Sequence, residues 1–344
     1  MPRTVDATIT ELQRSALAGR PAKTIFFGGG TPTFLDASDL SRLLRAVTET
    51  HPPIAGCEIT TESNPGTADA DKYRTAFDAG FNRISLGAQS FKSQDLLRLG
   101  RVHQSEDIGN AVSLAREAGF KNLNLDLMFA LPGQSTFAWQ DNLQRAIELD
   151  PDHISLYCLT LEPNTAFYKE HLKGQLILPP EEDQVEMYEV AVATSTRAGY
   201  IQYEISNFAK LDMECRHNLC YWKCEEYAAY GPGAVSCIES VRETRLKHPE
   251  RYCEALESSK PFLCEEDALS DESKSLEKLM LGLRLNEGLT APEALLRCKA
   301  VQDLCAFGWI EAERNTIRLT PLGRHFCSEA TLKLAQDWHT CSLF

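Results

Sequence analysis

Short apolar runs alternate with amphipathic stretches over the first two hundred residues, the pattern of parallel βα units. Strands are expected at Thr24–Phe27, Glu58–Thr61, Arg83–Leu86, Leu123–Met128 and His153–Cys158. Leu40, Leu43, Leu44 and Val47 recur at helical spacing behind Ser38, and Ile108, Ala111, Val112 and Ala115 behind Ser105. Each serine is therefore a candidate helix N-cap. Gly80, Gly119 and Gly199 fall just past predicted helices, where left-handed backbone is wanted. Ile9, Leu12 and Ala16 share one face of a helix near the N-terminus, while a helix over Glu181–Ala198 and a strand over Gln202–Ile205 extend the series. Five βα repeats of this kind predict part of a (β/α) barrel, with an open doubly wound sheet as the alternative.

Beyond this region the periodicity weakens. Residues 237–271 read as an irregular connection between a partial barrel over 1–236 and a C-terminal unit over 272–344. That last unit shows helices and then two short strands, at Trp309-Ile310 and Ile317–Leu319, a winged-helix-like order. The net charge of −14 argues against nucleic acid or an anionic membrane surface as a partner. No apolar stretch is long enough to span a bilayer, and Met1–Arg20 lacks the apolar core of a secretory signal. A cytoplasmic protein is the expectation. Twelve cysteines, scattered from Cys57 to Cys341, fit reduced thiols better than a disulfide framework. Cys215, Cys220 and Cys224, with His217 among them, are the exception to the scatter.

Candidate chemistry begins at Phe26-Phe27-Gly28-Gly29-Gly30-Thr31-Pro32, a predicted strand running straight into three glycines. Glycines let a ligand approach the backbone and expose amides as donors, although a tight turn explains one or two of them. The run lacks the Lys-Ser or Lys-Thr of a phosphate loop and the spacing of a dinucleotide fingerprint. Glu62, Gln89 and Asp126 lie at or near the C-terminal ends of successive predicted strands, the end that carries the ligand site in a parallel barrel. A lone carboxylate there is commonly a cap. Three polar residues on one rim, joined by the glycine loop, point to a convergent site. Arg101 is placed to pair a ligand carboxylate, although a surface arginine is the commoner case.

Taken together, Gly28–Pro32, Glu62-Ser63-Asn64-Pro65, Gly87-Ala88-Gln89-Ser90-Phe91, and Asp126 with Leu131-Pro132-Gly133 resemble the oxygen-independent coproporphyrinogen oxidases and HemW-type haem chaperones. Both belong to the radical S-adenosylmethionine superfamily, and the resemblance runs over nearly the whole chain. It implies S-adenosylmethionine binding by Gly29, Gly30, Thr31, Glu62, Gln89, Arg101 and Asp126. Arg216-His217-Asn218-Leu219-Cys220-Tyr221-Trp222 looks like the signature that separates the chaperones from the oxidases. It implies haem binding, with His217 and Cys220 as candidate ligands and Tyr221 and Trp222 as stacking surfaces. Read from the residues alone, the aromatic pair also fits a loop anchored in the core. The soft-ligand set of Cys215, His217, Cys220 and Cys224 lacks the paired knuckles of structural zinc sites.

The superfamily's Cys-x3-Cys-x2-Cys loop, which holds its [4Fe-4S] cluster, is not in this sequence: no cysteine precedes Gly28. The resemblance therefore implies an N-terminally truncated member whose barrel lacks its first strand and whose cluster is in doubt. A mitochondrial location becomes open if the true start carries a leader. The leading expectation is a haem-binding chaperone that passes haem to an acceptor protein, touching a membrane only where the acceptor is a membrane protein. The alternatives are an oxygen-independent coproporphyrinogen dehydrogenase and a degenerate, non-catalytic paralogue.

Overall fold

The computed structural model describes residues 1–341; the last three residues of the expected C-terminal unit lie outside the described residues. The chain opens with α1 (Pro2–Gln13) and then runs β1 (Ala22–Phe27), α2 (Ala37–Thr50), β2 (Pro53–Ser63), α3 (Ala70–Ala79) and β3 (Arg83–Gln89). It continues through α4 (Ser93–Arg98), α5 (Ser105–Ala118), β4 (Asn122–Phe129), α6 (Thr136–Glu148), β5 (His153–Cys158), α7 (Ala166–Leu172) and α8 (Glu181–Arg197). A hairpin of β6 (Ile201–Glu204) and β7 (Asn207–Ala209) follows, and then the short helix α9 (Arg216–Trp222).

Strands β1 to β5 pair in parallel and in consecutive order; β7 joins β5 antiparallel, with β6 outermost. A doubly wound sheet reverses its strand order at a switch point, so this consecutive order rules that alternative out. The ends, β1 and β6, do not pair, which leaves a half-barrel. The strand expected at Gln202–Ile205 exists one residue earlier, in an antiparallel hairpin outside the parallel series. Leu40, Leu44, Ile108, Val112, Ala115, Trp139 and Leu143 pack the helices onto Ile84, Leu86, Leu123 and Leu125 of the sheet, all buried. Each fully buried Leu or Ile contributes about 1.5–3 kcal/mol. Trp139 also donates its Nε1–H to the Met187 carbonyl at 2.8 Å, fastening α6 to α8.

Gly80 and Gly119 close α3 and α5 with φ of 118° and 115°, as expected, and Gly199 follows α8 at φ 89°. The N-caps differ. Asp36, not Ser38, precedes α2, and Gln104, not Ser105, precedes α5, its backbone N–H donating to Asp107 at 2.7 Å.

Residues 237–271 are not irregular. The segment forms β8 (Val235–Ile238), β9 (Val241–Arg245), α10 (Pro249–Glu257) and β10 (Leu263–Ala268), with the three strands in one antiparallel sheet. Glu239 and Ser240, both at positive φ, make the two-residue turn between β8 and β9. Strand β10 exposes Glu265, Glu266 and Asp267, so no apolar alternation announces it. The buried Glu11 of α1 accepts from Arg245 Nε at 2.9 Å, from the Gly231 amide at 3.0 Å and from the Tyr252 hydroxyl, tying α1 to this sheet and to α10.

The C-terminal unit has the expected winged-helix-like order: α11 (Asp271–Gly282), β11 (Leu289–Thr290), α12 (Glu293–Leu296), α13 (Lys299–Ala306), β12 (Ile310–Glu313), β13 (Thr316–Leu319) and α14 (Cys327–Cys341). Leu279, Leu283, Leu295, Leu304, Ile317 and Leu334 form its own core. No helix among the described residues is long and apolar enough to cross a membrane.

Candidate functional site

Parallel strands buried on both faces usually read as unbroken apolar runs. Here β2 to β5 interrupt theirs with Glu58, Arg83, Ser85, Asn124, Asp126, His153 and Ser155, and most of these polar side chains meet inside the half-barrel. All of them except Glu58 line a cavity of about 370 Å³ together with Phe26, Glu62, Gln89, Tyr157, Cys215 and Asn218. Glu62, Gln89 and Asp126, expected on one rim, therefore do share one cavity. Asp126 accepts from the Ser85 hydroxyl at 2.9 Å and the Asn124 amide at 2.8 Å, which fixes its carboxylate. Gln89 follows a register shift in β3 and sits at φ 61°, which aims its amide into the cavity.

The glycine loop leans on the same wall. A Cβ at Gly28 would lie 2.4 Å from the Phe26 ring and 3.0 Å from the Glu62 carboxyl, so only glycine fits there. Gly29, at φ 82°, donates its amide to Glu62, while Gly30 faces open space. Thr31 and Arg101 reach the site through a common partner: the Asn64 amide donates to the Thr31 hydroxyl at 2.8 Å and accepts from Arg101 Nη1 at 3.0 Å. The structure thus places Glu62, Gln89 and Asp126 in the cavity lining and Gly29 on Glu62, while Asn64, which sequence reasoning missed, joins Thr31 to Arg101.

Burial pushes the Glu62 carboxyl up to about 7, the neighbouring Asp126 adds to the shift, and the Gly29 amide opposes it. A cationic ligand therefore meets a half-charged wall near neutral pH. Titration of the chain with S-adenosylmethionine by calorimetry is expected to show about tenfold tighter binding at pH 8 than at pH 6, following the ionised fraction of Glu62. Glu62→Gln should flatten that profile, and an unchanged slope would remove Glu62 from the contact.

Arg83 and Glu58 were not picked out by the sequence reading. Arg83 is 2% exposed, lines the cavity and leaves Nε without a partner; its nearest carboxylate oxygen, on Glu58, is 3.9 Å away. Glu58 is committed elsewhere. Its two oxygens accept the Arg216 and His217 amides at 3.1 and 3.0 Å, capping the N-terminus of α9 with a buried carboxylate. The sequence signal for both was their polar character inside predicted parallel strands.

Helix α9 carries the expected haem motif and packs against β1. His217 stacks on Phe26 at 4.9 Å and 11° between planes. Its Nδ1 pairs with the Thr24 hydroxyl at 2.8 Å and its Nε2 with the Tyr221 hydroxyl at 3.0 Å. Burial lowers its pKa to about 4, against the pull of Glu58, so the imidazole is neutral at physiological pH. Cys220, one helical turn on, also meets the Thr24 hydroxyl; burial and then Glu225 push its thiol up, so the thiolate is disfavoured. His217 and Cys220 thus share the β1-facing side of α9, next to the cavity rather than in its lining.

Both members of the aromatic pair have partners within the chain. Tyr221 meets His217 and Tyr227 edge-on, and Trp222 lies under the Arg284 guanidinium at 4.6 Å. Arg284 in turn donates to the fully buried Glu204 at 3.0 Å. Cys215 points to Glu58 at 3.6 Å, and Cys224 is exposed. Among the described residues no group of three or more His, Cys, Asp or Glu side chains is placed to hold a metal ion. With no Cys-x3-Cys-x2-Cys run in the sequence, the residues present do not fit a [4Fe-4S] cluster.

The radical SAM superfamily model matches residues 2–146. The haem chaperone HemW of Bacillus subtilis (strain 168) is 36% identical over 321 residues, covering 90% of this chain and 84% of its own. HemW of Escherichia coli (strain K12) is 41% identical over 239 residues, covering 68% and 62%. The solved coproporphyrinogen III oxidase HemN from Escherichia coli superposes with a TM-score of 0.83 over 97% of this chain and 83% of its own, at 23% identity, and shares the fold. At 36% identity over 90% of its length to a HemW haem chaperone, and with the radical SAM superfamily model matching residues 2–146, the chain belongs to the HemW-type family of the radical SAM superfamily.

Proposed function

We propose that this chain is a haem-binding chaperone that delivers haem to an acceptor protein, with His217 as the iron ligand. The observation that carries the reading is the imidazole itself. It is neutral, stacked and oriented, with Nδ1 turned to β1 and Nε2 held only by a tyrosine hydroxyl. A neutral imidazole is an axial donor to haem iron, and a hydrogen bond at the far nitrogen fixes which nitrogen ligates. Thr24 supplies that bond.

Cys220 is the weaker candidate near neutral pH, because iron takes the thiolate and this site disfavours it. Following the Soret band during hemin titration, Cys220→Ser is expected to change affinity less than threefold at pH 7 (about 0.7 kcal/mol). A larger loss would make the thiol a ligand.

The cavity is assigned to S-adenosylmethionine. Glu62 and Asp126 face its cationic groups and ribose, Gln89 contributes an amide, and Arg101, held by Asn64, pairs its carboxylate. Gly29, Gly30 and Thr31 bring the backbone close to it. In enzymes that carry a cluster, this ligand supplies radical chemistry; here its assigned role is binding. The acceptor is a protein partner, and a cytoplasmic setting goes with this reading. The coproporphyrinogen dehydrogenase reading is the weaker one, because the haem chaperone relatives are 36% and 41% identical to this chain and the oxidase HemN 23%.

A further inference from the structure

Phe26 belongs to both sites. One face of its ring carries His217, and the ring also lines the cavity. A third side is closed: the glycine loop is nested against it so tightly that a Cβ at Gly28 would come within 2.4 Å of the ring. The cavity is the open direction left to it among these neighbours.

His217 is tied in a way that makes this matter. Nδ1 faces β1 through Thr24, so iron approaches Nε2, which now pairs with Tyr221. Ligation breaks that bond and turns the imidazole toward the iron. The helix under it cannot follow freely, because Glu58 holds the first amides of α9. The adjustment therefore falls on the near-parallel contact with Phe26, a half-buried ring for which the cavity is an open direction of yield.

We propose that cavity occupancy and iron ligation by His217 oppose each other through Phe26, so that a ligand in the cavity promotes haem release. Linkage is reciprocal, so bound haem weakens the cavity ligand by the same factor. In the proposed chaperone the cavity then acts as a hand-off control, a role that requires no bond to be made or broken in the cavity ligand. The inference rests on the haem and cavity assignments above.

The test uses S-adenosylhomocysteine, which carries the nucleoside and amino-acid parts without the sulfonium. Its binding to the intact chain is measured by calorimetry, and hemin affinity by Soret titration, with and without saturating probe. Hemin should bind at least about fivefold more weakly when the probe is present, the low end of ordinary allosteric coupling. Calorimetry on the hemin-loaded chain should return the same factor. Phe26→Leu keeps an apolar wall but removes the flat plate, and should bring the ratio of the two hemin affinities below about twofold, whatever happens to each affinity. Equal hemin affinities with probe bound overturn the coupling, as does an undiminished ratio in Phe26→Leu. Failure of the probe to bind overturns the cavity assignment instead, and hemin binding insensitive to His217→Ala overturns the ligand assignment. The reciprocal measurement on the unaltered chain keeps the coupling decidable if Phe26→Leu fails to fold.

Discussion

Replacing His217 with alanine is expected to weaken hemin binding by at least about 10- to 100-fold, the range lost when even a supporting partner of a metal ligand is removed. The side chain lost is the iron ligand of the proposed function, and none of its neighbours replaces it: the Cys220 thiol is held protonated, and Tyr221 is a weak donor while its hydroxyl keeps its proton. Tyr221→Phe should do the opposite. It frees Nε2 from its only partner, and a neutral hydrogen bond contributes about 0.5–1.5 kcal/mol, which corresponds to about two- to tenfold tighter hemin binding. Both effects are read from the same Soret titration. Hemin affinity unchanged in His217→Ala sinks the ligand assignment, and weakening in Tyr221→Phe would show that the hydroxyl supports the ligand rather than competing for it. Binding should hold from pH 8 down to about pH 5 and fall as pH approaches 4, where the imidazole takes up a proton.

A larger loss of stability is expected at Glu11. Its carboxylate is buried with Arg245 and also serves Tyr252 and the Gly231 amide. Glu11→Met leaves the buried Arg245 guanidinium with Glu243, at 3.6 Å, as its remaining carboxylate. The loss should approach about 3–5 kcal/mol, the cost of breaking a buried pair from one side. Urea unfolding should show the drop as a lower midpoint at unchanged slope. Removing both charges, Glu11→Met with Arg245→Met, should recover much of it, because an apolar pair of similar volume does without desolvated charges. A double variant as unstable as the single one would mean that Tyr252 and Gly231, rather than Arg245, give Glu11 its weight.

The five parallel strands were legible in the sequence because their apolar cores and the glycines after their helices are local signals. Of the seven residues that the motif order pointed to, the structure brings Glu62, Gln89 and Asp126 into one cavity and ties Thr31 and Arg101 together through Asn64. Glu58 and Arg83 were hidden. Glu58 finds Arg216 and His217 far along the chain, and Arg83 faces Glu58 at 3.9 Å from the next strand, so nothing near either residue in sequence announces its role. The sheet of β8, β9 and β10 was hidden for another reason. Its outer strand carries Glu265-Glu266-Asp267, a charged edge that discourages pairing with other chains and erases the alternation by which strands are recognised. Asn64 looked like part of a motif and proved to be the joint between Thr31 and Arg101.

Trp222 closes the Arg216–Trp222 run, yet its ring rests on Arg284, sixty-two positions away, and Arg284 rests on Glu204. The signature is thus written by two authors. In the proposed function its histidine serves the iron, while its tryptophan answers to the fit between the half-barrel and the C-terminal unit. A change at Arg284 or Glu204 would be inherited as damage to the motif although neither residue belongs to it.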